Sequence, residues 1–299
     1  MSDVKDRPMY GIGLRVLSGL LFAGMFISVK AISADVPLGE LVFFRSFFAL
    51  IPLVIFLWIR CEFPGGLATK RPLDHVLRAS FGAIALFTSF AALARLNIAE
   101  ASLLAQLSPI LTALAAVVLL SERLTIWRVG GLALGFAGVV ALVWPELSGG
   151  ALERTRLIGI GLGLISAVLA ALALIMVRSL NRTESPGAIA FYFVIASMIG
   201  GVISIPWGWI MPDVFMLVCL VLAGLFGGFA HIAMTLSFRY AEASRLAPFE
   251  YLTLLWPLLA DVFLFRLPIS TTFVLAAPLV LAGAAVAAGE GRRLGKLGA

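Results

Sequence analysis

Residues 99–125 read AEASLLAQLSPILTALAAVVLLSERLT, and between residues 101 and 120 the run carries no formal charge. A helix there matches the roughly 20 apolar residues that cross a hydrocarbon core. Its one strongly polar side chain is Gln106. Ser102, Gln106, Pro109 and Ala113 fall at helical spacing on one side, a narrow, weakly polar stripe on an otherwise apolar rod. A cavity is expected along that stripe. The opening of the segment is written again downstream, where Ala99-Glu100-Ala101-Ser102 recurs as Ala241-Glu242-Ala243-Ser244.

The rest of the chain has the same character. Of its 299 residues, 62% are hydrophobic and 13% charged, against about 25% charged in soluble domains. The mean hydropathy is +1.08. The fold class is therefore an all-α integral membrane protein, with the lipid bilayer as its surroundings. A net charge of +6 would suggest nucleic acid in a soluble chain. Here the basic residues fall between apolar runs, so they report orientation and no nucleic-acid partner is expected. Cys61 and Cys219 have no metal spacing and are expected to be unpaired.

Ten apolar runs follow one another: 10–32, 37–59, 75–94, 99–120, 126–144, 157–177, 186–211, 214–238, 246–265 and 270–289. The basic start and the small residues at Ala31-Ile32-Ser33-Ala34 leave a secretory signal peptide as a rival reading of the first run. Ten spans put both termini on one side of the membrane. With the amino terminus inside, Lys30, Arg95, Arg154, Arg156 and Arg266 lie outside, Arg45 lies within a span, and the other sixteen basic residues, Arg78 among them, fall at the inner ends. That asymmetry predicts cytoplasmic termini in a cell inner membrane.

The runs repeat as a set. Gly11-Ile12-Gly13-Leu14 returns as Gly159-Ile160-Gly161-Leu162, Val29-Lys30 is matched by Val177-Arg178, and Pro37 corresponds to Pro186. The chain therefore divides into a leader (1–9), a first five-helix repeat (10–144), a connecting loop (145–156), a second five-helix repeat (157–289) and a tail (290–299). Because five is odd, the second repeat enters the membrane from the opposite side. Inverted repeats of this kind are the architecture of alternating-access carriers, with the substrate near mid-membrane where the copies meet.

Several residues carry the resemblance to a family: Arg45 in the second span, Pro109 in the fourth, the Ser121-Glu122-Arg123-Leu124-Thr125 helix end, and Gly130, Gly131, Gly135 and Gly138 after it. Together they resemble the EamA-type pattern of the drug/metabolite transporter superfamily. Pro248, Pro257 and Gly283 echo it in the second half, whereas Phe265-Arg266-Leu267-Pro268 lacks the acidic residue. Within the superfamily the chain is most similar to YddG-type bacterial exporters of aromatic and other neutral amino acids. The resemblance implies export of such metabolites.

Candidate substrate-binding residues follow from charge and depth. Arg45 lies about eight residues into its span, roughly 12 Å deep at 1.5 Å per residue, too deep to face lipid. Either it anchors a substrate carboxylate through its bidentate fork, or it pairs with an acid or with backbone carbonyls. Lys30 and Glu40 flank the first outer turn and are expected to form a hairpin ion pair, with a gate charge as the alternative for Lys30. His231, the histidine inside a span, is either a packed imidazole or a proton carrier. Glu250, beside Tyr251, shares a helical face with Leu254, Pro257 and Asp261. It is either a proton-coupling acid or a carboxylate favoured by the dipole of the first helical turn. Asp261 is expected at the interface.

Pro52, Pro109, Pro206, Pro248, Pro257 and Pro278 fall inside apolar runs, where proline frees carbonyls that can line a cavity. Pro109 and Pro257 occupy counterpart spans and are expected to flank that cavity, with Gln106, Tyr251 and Trp256 near it. The pairs Gly131/Gly135, Gly159/Gly163 and Gly224/Gly228 have the spacing of close helix crossings. An aromatic-lined site, drawing on Phe43, Phe47, Tyr192 and Phe249, is a weaker expectation.

Enzyme chemistry finds no support. The chain has no Walker loop, no paired-histidine or paired-cysteine metal spacing, no nucleophile elbow and no paired intramembrane aspartates. No catalytic residue, cofactor or metal is expected. The sequence therefore predicts a monomeric carrier of small metabolites working by alternating access, with a proton as candidate coupling ion. Efflux of lipophilic cations is the alternative.

Overall fold

The computed structural model describes residues 8–120, 126–147, 154–181, 183–240, 246, 249 and 254–297. Every longer regular element among them is a helix: α1 (Pro8–Ile32), α2 (Leu38–Ile59), α3 (Pro72–Leu93), α4 (Ile98–Ala105), α5 (Ser108–Leu120), α6 (Ile126–Leu147), α7 (Arg154–Leu180), α8 (Pro186–Ile203), α9 (Val214–Tyr240), α10 (Leu255–Leu259) and α11 (Thr271–Leu297). Six of these, α1, α2, α3, α7, α8 and α9, are long and apolar enough to cross a membrane. Shorter apolar helical stretches lie at Ile98–Thr112, Val129–Leu142, Leu255–Leu264 and Thr271–Gly283. The outward surface is apolar, with Trp58, Trp207, Val214 and Phe263 all strongly exposed. In water such a surface would be costly, and hydrocarbon is its natural solvent.

Two expected runs end differently. The fourth is broken: α4 stops at Ala105, Leu107 N donates back to Leu104 O at 3.0 Å, and α5 starts at Ser108. The cause is Pro109, which has no N–H to offer the Ala105 carbonyl four residues back and whose ring crowds it. The seventh run stops being α-helix at Ile203. Pro206 sits in a 3₁₀ turn over Ile205–Trp207 that Gly208 closes with φ +89°, a conformation open to glycine at little cost.

The long helices pack in antiparallel pairs drawn from the two parts of the chain. Ser18 of α1 donates to Ala230 O of α9 (2.9 Å), and Tyr10 meets Tyr240 edge-on at 5.0 Å. Likewise Ser166 of α7 donates to Ala85 O of α3 (2.8 Å), while Arg71, just before α3, reaches Ser179 near the end of α7. In the α2–α8 pair, Gly39 lies against Ser204 and Leu57 against Gly187, so these helices also run in opposite directions. α6 and α11 cross so closely that a β-carbon on Gly283 would stand 2.6 Å from Gly131 O. The glycine pairs behave as their spacing predicts. Gly131 and Gly135 meet Gly283, Gly159 and Gly163 meet Leu96 and Leu104, and Gly224 and Gly228 meet α2 from Arg45 to Pro52. Without a hydrophobic driving force between helices in lipid, this close approach supplies the cohesion.

Candidate functional site

α1 and α3 finish at one end of the bundle, where Lys30 Nζ donates to Leu93 O (2.8 Å) and Leu96 O (2.7 Å). These are carbonyls at the end of α3, where the helix dipole presents partial negative charge. The expected Lys30–Glu40 ion pair is therefore not the arrangement found, because the helix end offers Lys30 two acceptors at once. Glu40 instead accepts from Ile210 N at 3.0 Å.

α4 begins two residues beyond Leu96, and its first amides need acceptors. Asp261 supplies them from the far part of the chain: Oδ1 accepts from Ile98 N (3.1 Å) and Oδ2 from Ala99 N (2.6 Å). Asp261 lies in a single π-helical turn, Ala260–Leu264, closed by Phe265 N donating to Ala260 O at 3.1 Å. A π turn re-aims its side chains, and here the carboxylate faces inward against α4. Asp261 is itself buried. Beside it Glu100 accepts from Arg156 at 2.8 Å, and Arg156 also reaches Leu142 O at 3.4 Å. The Lys30 end is thus a clasp of charges joining α1, α3, α4, α6, α7 and the turn after α10. Outside it lies a groove of about 550 Å³ bordered by Arg95, Asn97, Glu100, Arg156 and Thr271.

The middle of the bundle is built differently. Arg45 is 1% exposed, and among the described residues its one polar contact is weak, Nη2 to Met25 Sδ at 3.7 Å; Nε and Nη1 are buried without a partner there. Its head presses on Gly227 of α9, where a β-carbon would come within 2.9 Å of it. His231 follows one turn later on the same face of α9. Its ring meets Phe22 edge-on at 5.0 Å and Phe193 at 6.4 Å. Arg78 lies against the same Phe193, with its guanidinium 4.5 Å from the ring centre and Nε and Nη1 buried unbonded. Arg78 was counted among the inner-end charges. Its long stem instead carries the head into the bundle beside Gly82. Both guanidiniums lie in electrostatic reach of His231, and burial alone acts on each, with no carboxylate of the described residues near enough to matter. An uncompensated buried ion costs several kcal/mol.

The other predicted residues fall in separate places. Gln106 sits at the α4–α5 break and is half-buried, Pro109 is exposed, and Pro257 is buried, so the two prolines have unlike surroundings. Near them Leu103, Leu107 and Ile110 pack with Leu254 and Leu258. Trp256 Nε1 is buried without a partner, as is Ser102 Oγ. Glu250, Tyr251 and Pro248 lie outside the described residues. Tyr192 meets His75 at 4.6 Å with the rings tilted and donates to Leu67 O. Phe43 and Phe47 stack on each other along α2, with Trp209 against Phe43. Two partners escaped the sequence reading. Asp261 gave only the signal of an acid one turn past Pro257, and Arg78 that of an arginine well inside α3 with glycine four residues on. Both thiols are free, and no metal-ligating cluster occurs among the described residues.

The EamA-like transporter family model matches residues 9–144 and again residues 157–289. The chain belongs to this family. It is a multi-pass membrane transporter of the drug/metabolite superfamily. Among its EamA-like relatives, the pseudopaline exporter of Pseudomonas aeruginosa is 30% identical over 255 residues, covering 83% of this chain and 85% of that protein. The S-adenosylmethionine uptake transporter of Rickettsia bellii is 26% identical over 273 residues, covering 89% of each. A crystal structure with 21% sequence identity superposes with a TM-score of 0.67 over 95% of this chain and 98% of its own, a likeness of fold.

Proposed function

We propose that this EamA-like protein is a monomeric alternating-access carrier in the inner membrane, exporting amino acids and related carboxylate-bearing metabolites. Its working units are two inverted five-helix repeats, residues 10–144 and 157–289, with both termini cytoplasmic. The observation that carries the reading is Arg45: a buried guanidinium without a counter-charge, held where α1, α2 and α9 meet. A cation in that setting is stabilised by a cargo that brings a carboxylate, to which arginine offers a bidentate fork. The exchange of partners between the halves supports inversion. The first helix of each repeat packs antiparallel against the third of the other, α1 on α9 and α7 on α3, while Lys30 ties the ends of α1 and α3 together. Rocking of one repeat against the other would open the centre to each side in turn.

Aromatic and other neutral amino acids are the first class to test. Lipophilic cations fit poorly, since the charges at the centre are themselves cationic. Named relatives work as exporter and as uptake transporter, so direction is part of the proposal. The test is flux of radiolabelled phenylalanine and leucine into proteoliposomes with and without a pH gradient. Flux that depends on Arg45 is the expected result, and a gradient effect would assign Glu250 its coupling role. Absence of flux for every amino acid, acidic ones included, would overturn the reading.

A further inference from the structure

We infer that Arg45 and Arg78 together form a two-point anion site, so that the preferred cargo carries two separate acidic groups, as an acidic amino acid or a small dicarboxylate does. The inference rests on the carrier reading above and narrows its substrate class.

The geometry requires both arginines to be considered together. They project from different helices, α2 and α3, and both reach the same residue of a third: Arg45 lies at Gly227, one turn from His231, and Arg78 lies on the Phe193 ring that meets His231. Each head is set against a glycine. A β-carbon at Gly227 would come within 2.9 Å of Arg45, and one at Gly82 would collide with Arg78 Nη1. These glycines leave room for a guanidinium where any other residue would push it away. His231, in electrostatic reach of both heads, is partly exposed. Four guanidinium nitrogens, Nε and Nη1 on each arginine, are buried without a hydrogen-bond partner.

Elsewhere the chain leaves few charges in this condition. Lys30, Glu100, Asp261 and Arg156 all find partners within 3.1 Å. One unpaired cation would suit the carboxylate of any amino acid, and its charge would be balanced by that group alone. A second unpaired cation in electrostatic reach of the same His231 is left over by a neutral amino acid and is answered by a second carboxylate. Each guanidinium carries its own desolvation cost, and a dianion that reaches both offsets the two together.

The experiment uses the full chain, both in detergent and in proteoliposomes. Thermal stabilisation is compared for glutamate, succinate, glutamine and phenylalanine. Counterflow of radiolabelled glutamate and phenylalanine is measured for the wild type, R45Q, R78Q and R78K. Glutamate and succinate should stabilise the protein more than glutamine, and R78Q should lower glutamate counterflow about tenfold while phenylalanine changes less than about twofold. R78K should recover much of the glutamate signal, which a merely misfolded R78Q would not explain. Equal loss of both substrates in R78Q, or phenylalanine flux with no advantage for either dianion, overturns the two-point site and leaves the carrier reading standing. Stabilisation by dianions with no flux of any compound would instead overturn the carrier reading and keep the site.

Discussion

Two sets of membrane-embedded charges in this protein are treated in opposite ways. At the Lys30 end the charges of the clasp are matched: Lys30 by the end of α3, Asp261 by the start of α4, and Glu100 by Arg156. In the middle, Arg45 and Arg78 are buried with donors unused. The first arrangement uses helix ends, whose orphan carbonyls and amides are ready partners for charge. The second lies against helix middles, where backbone groups are already consumed, and so it has nothing of its own to bond. A satisfied charge holds the molecule together, whereas an unsatisfied one is kept for something that arrives.

The sharpest way to break this contrast is Asp261→Ala. It strips two α4 amides of their acceptors and removes the carboxylate nearest Lys30, so thermal unfolding in detergent should show a loss of about 3 kcal/mol. A cysteine at Asn97 should also label faster in this variant. No change in either measurement would mean that the clasp is ornamental.

Arg45→Met should do the reverse. Stability holds or rises by about 1 kcal/mol, because an uncompensated ion leaves the interior, while substrate counterflow falls by at least about tenfold. A fall in stability comparable to that of Asp261→Ala would move Arg45 into the structural set.

Glu100→Gln keeps the shape and removes the charge partner of Arg156. A loss of about 1–2 kcal/mol in thermal unfolding is expected, in line with a charge-assisted bond that is mostly buried. Smallest is Arg71→Ala at the opposite end. There the partly exposed pair with Asp74 (2.7 Å) and the bonds to Ser179 should be worth less than about 1 kcal/mol and fade with added salt. A larger effect in unfolding at moderate ionic strength would show that this end is a second clasp.

Much of the fold could be read beforehand from particular residues. The apolar runs located the six helices long and apolar enough to cross a membrane, the Gly-x-x-x-Gly pairs located the close crossings, and the break after Gln106 was implicit in Pro109. Arg45 was recognised by depth alone. The partners of Asp261 were not foreseen because Ile98 N and Ala99 N are more than 160 residues away and no local pattern points to them. Arg78 was read as an inner-end charge because sequence position gives the depth of a Cα, while an arginine head reaches a turn further along the helix. Lys30 was given Glu40, the acid on the other side of the first outer turn. The end of α3, nearer in space, was invisible as an acceptor because its carbonyls belong to every residue alike.

By itself, then, the sequence determined that this chain lives in a bilayer, where its helices start and break, and that its halves are related. Those properties come from transfer free energies and backbone rules that act residue by residue along the chain. Tertiary structure alone decided which charges are neutralised and which are left open. In a medium of low dielectric that outcome depends on which helix ends and side chains meet within about 3 Å, and distance in space is not written along the chain.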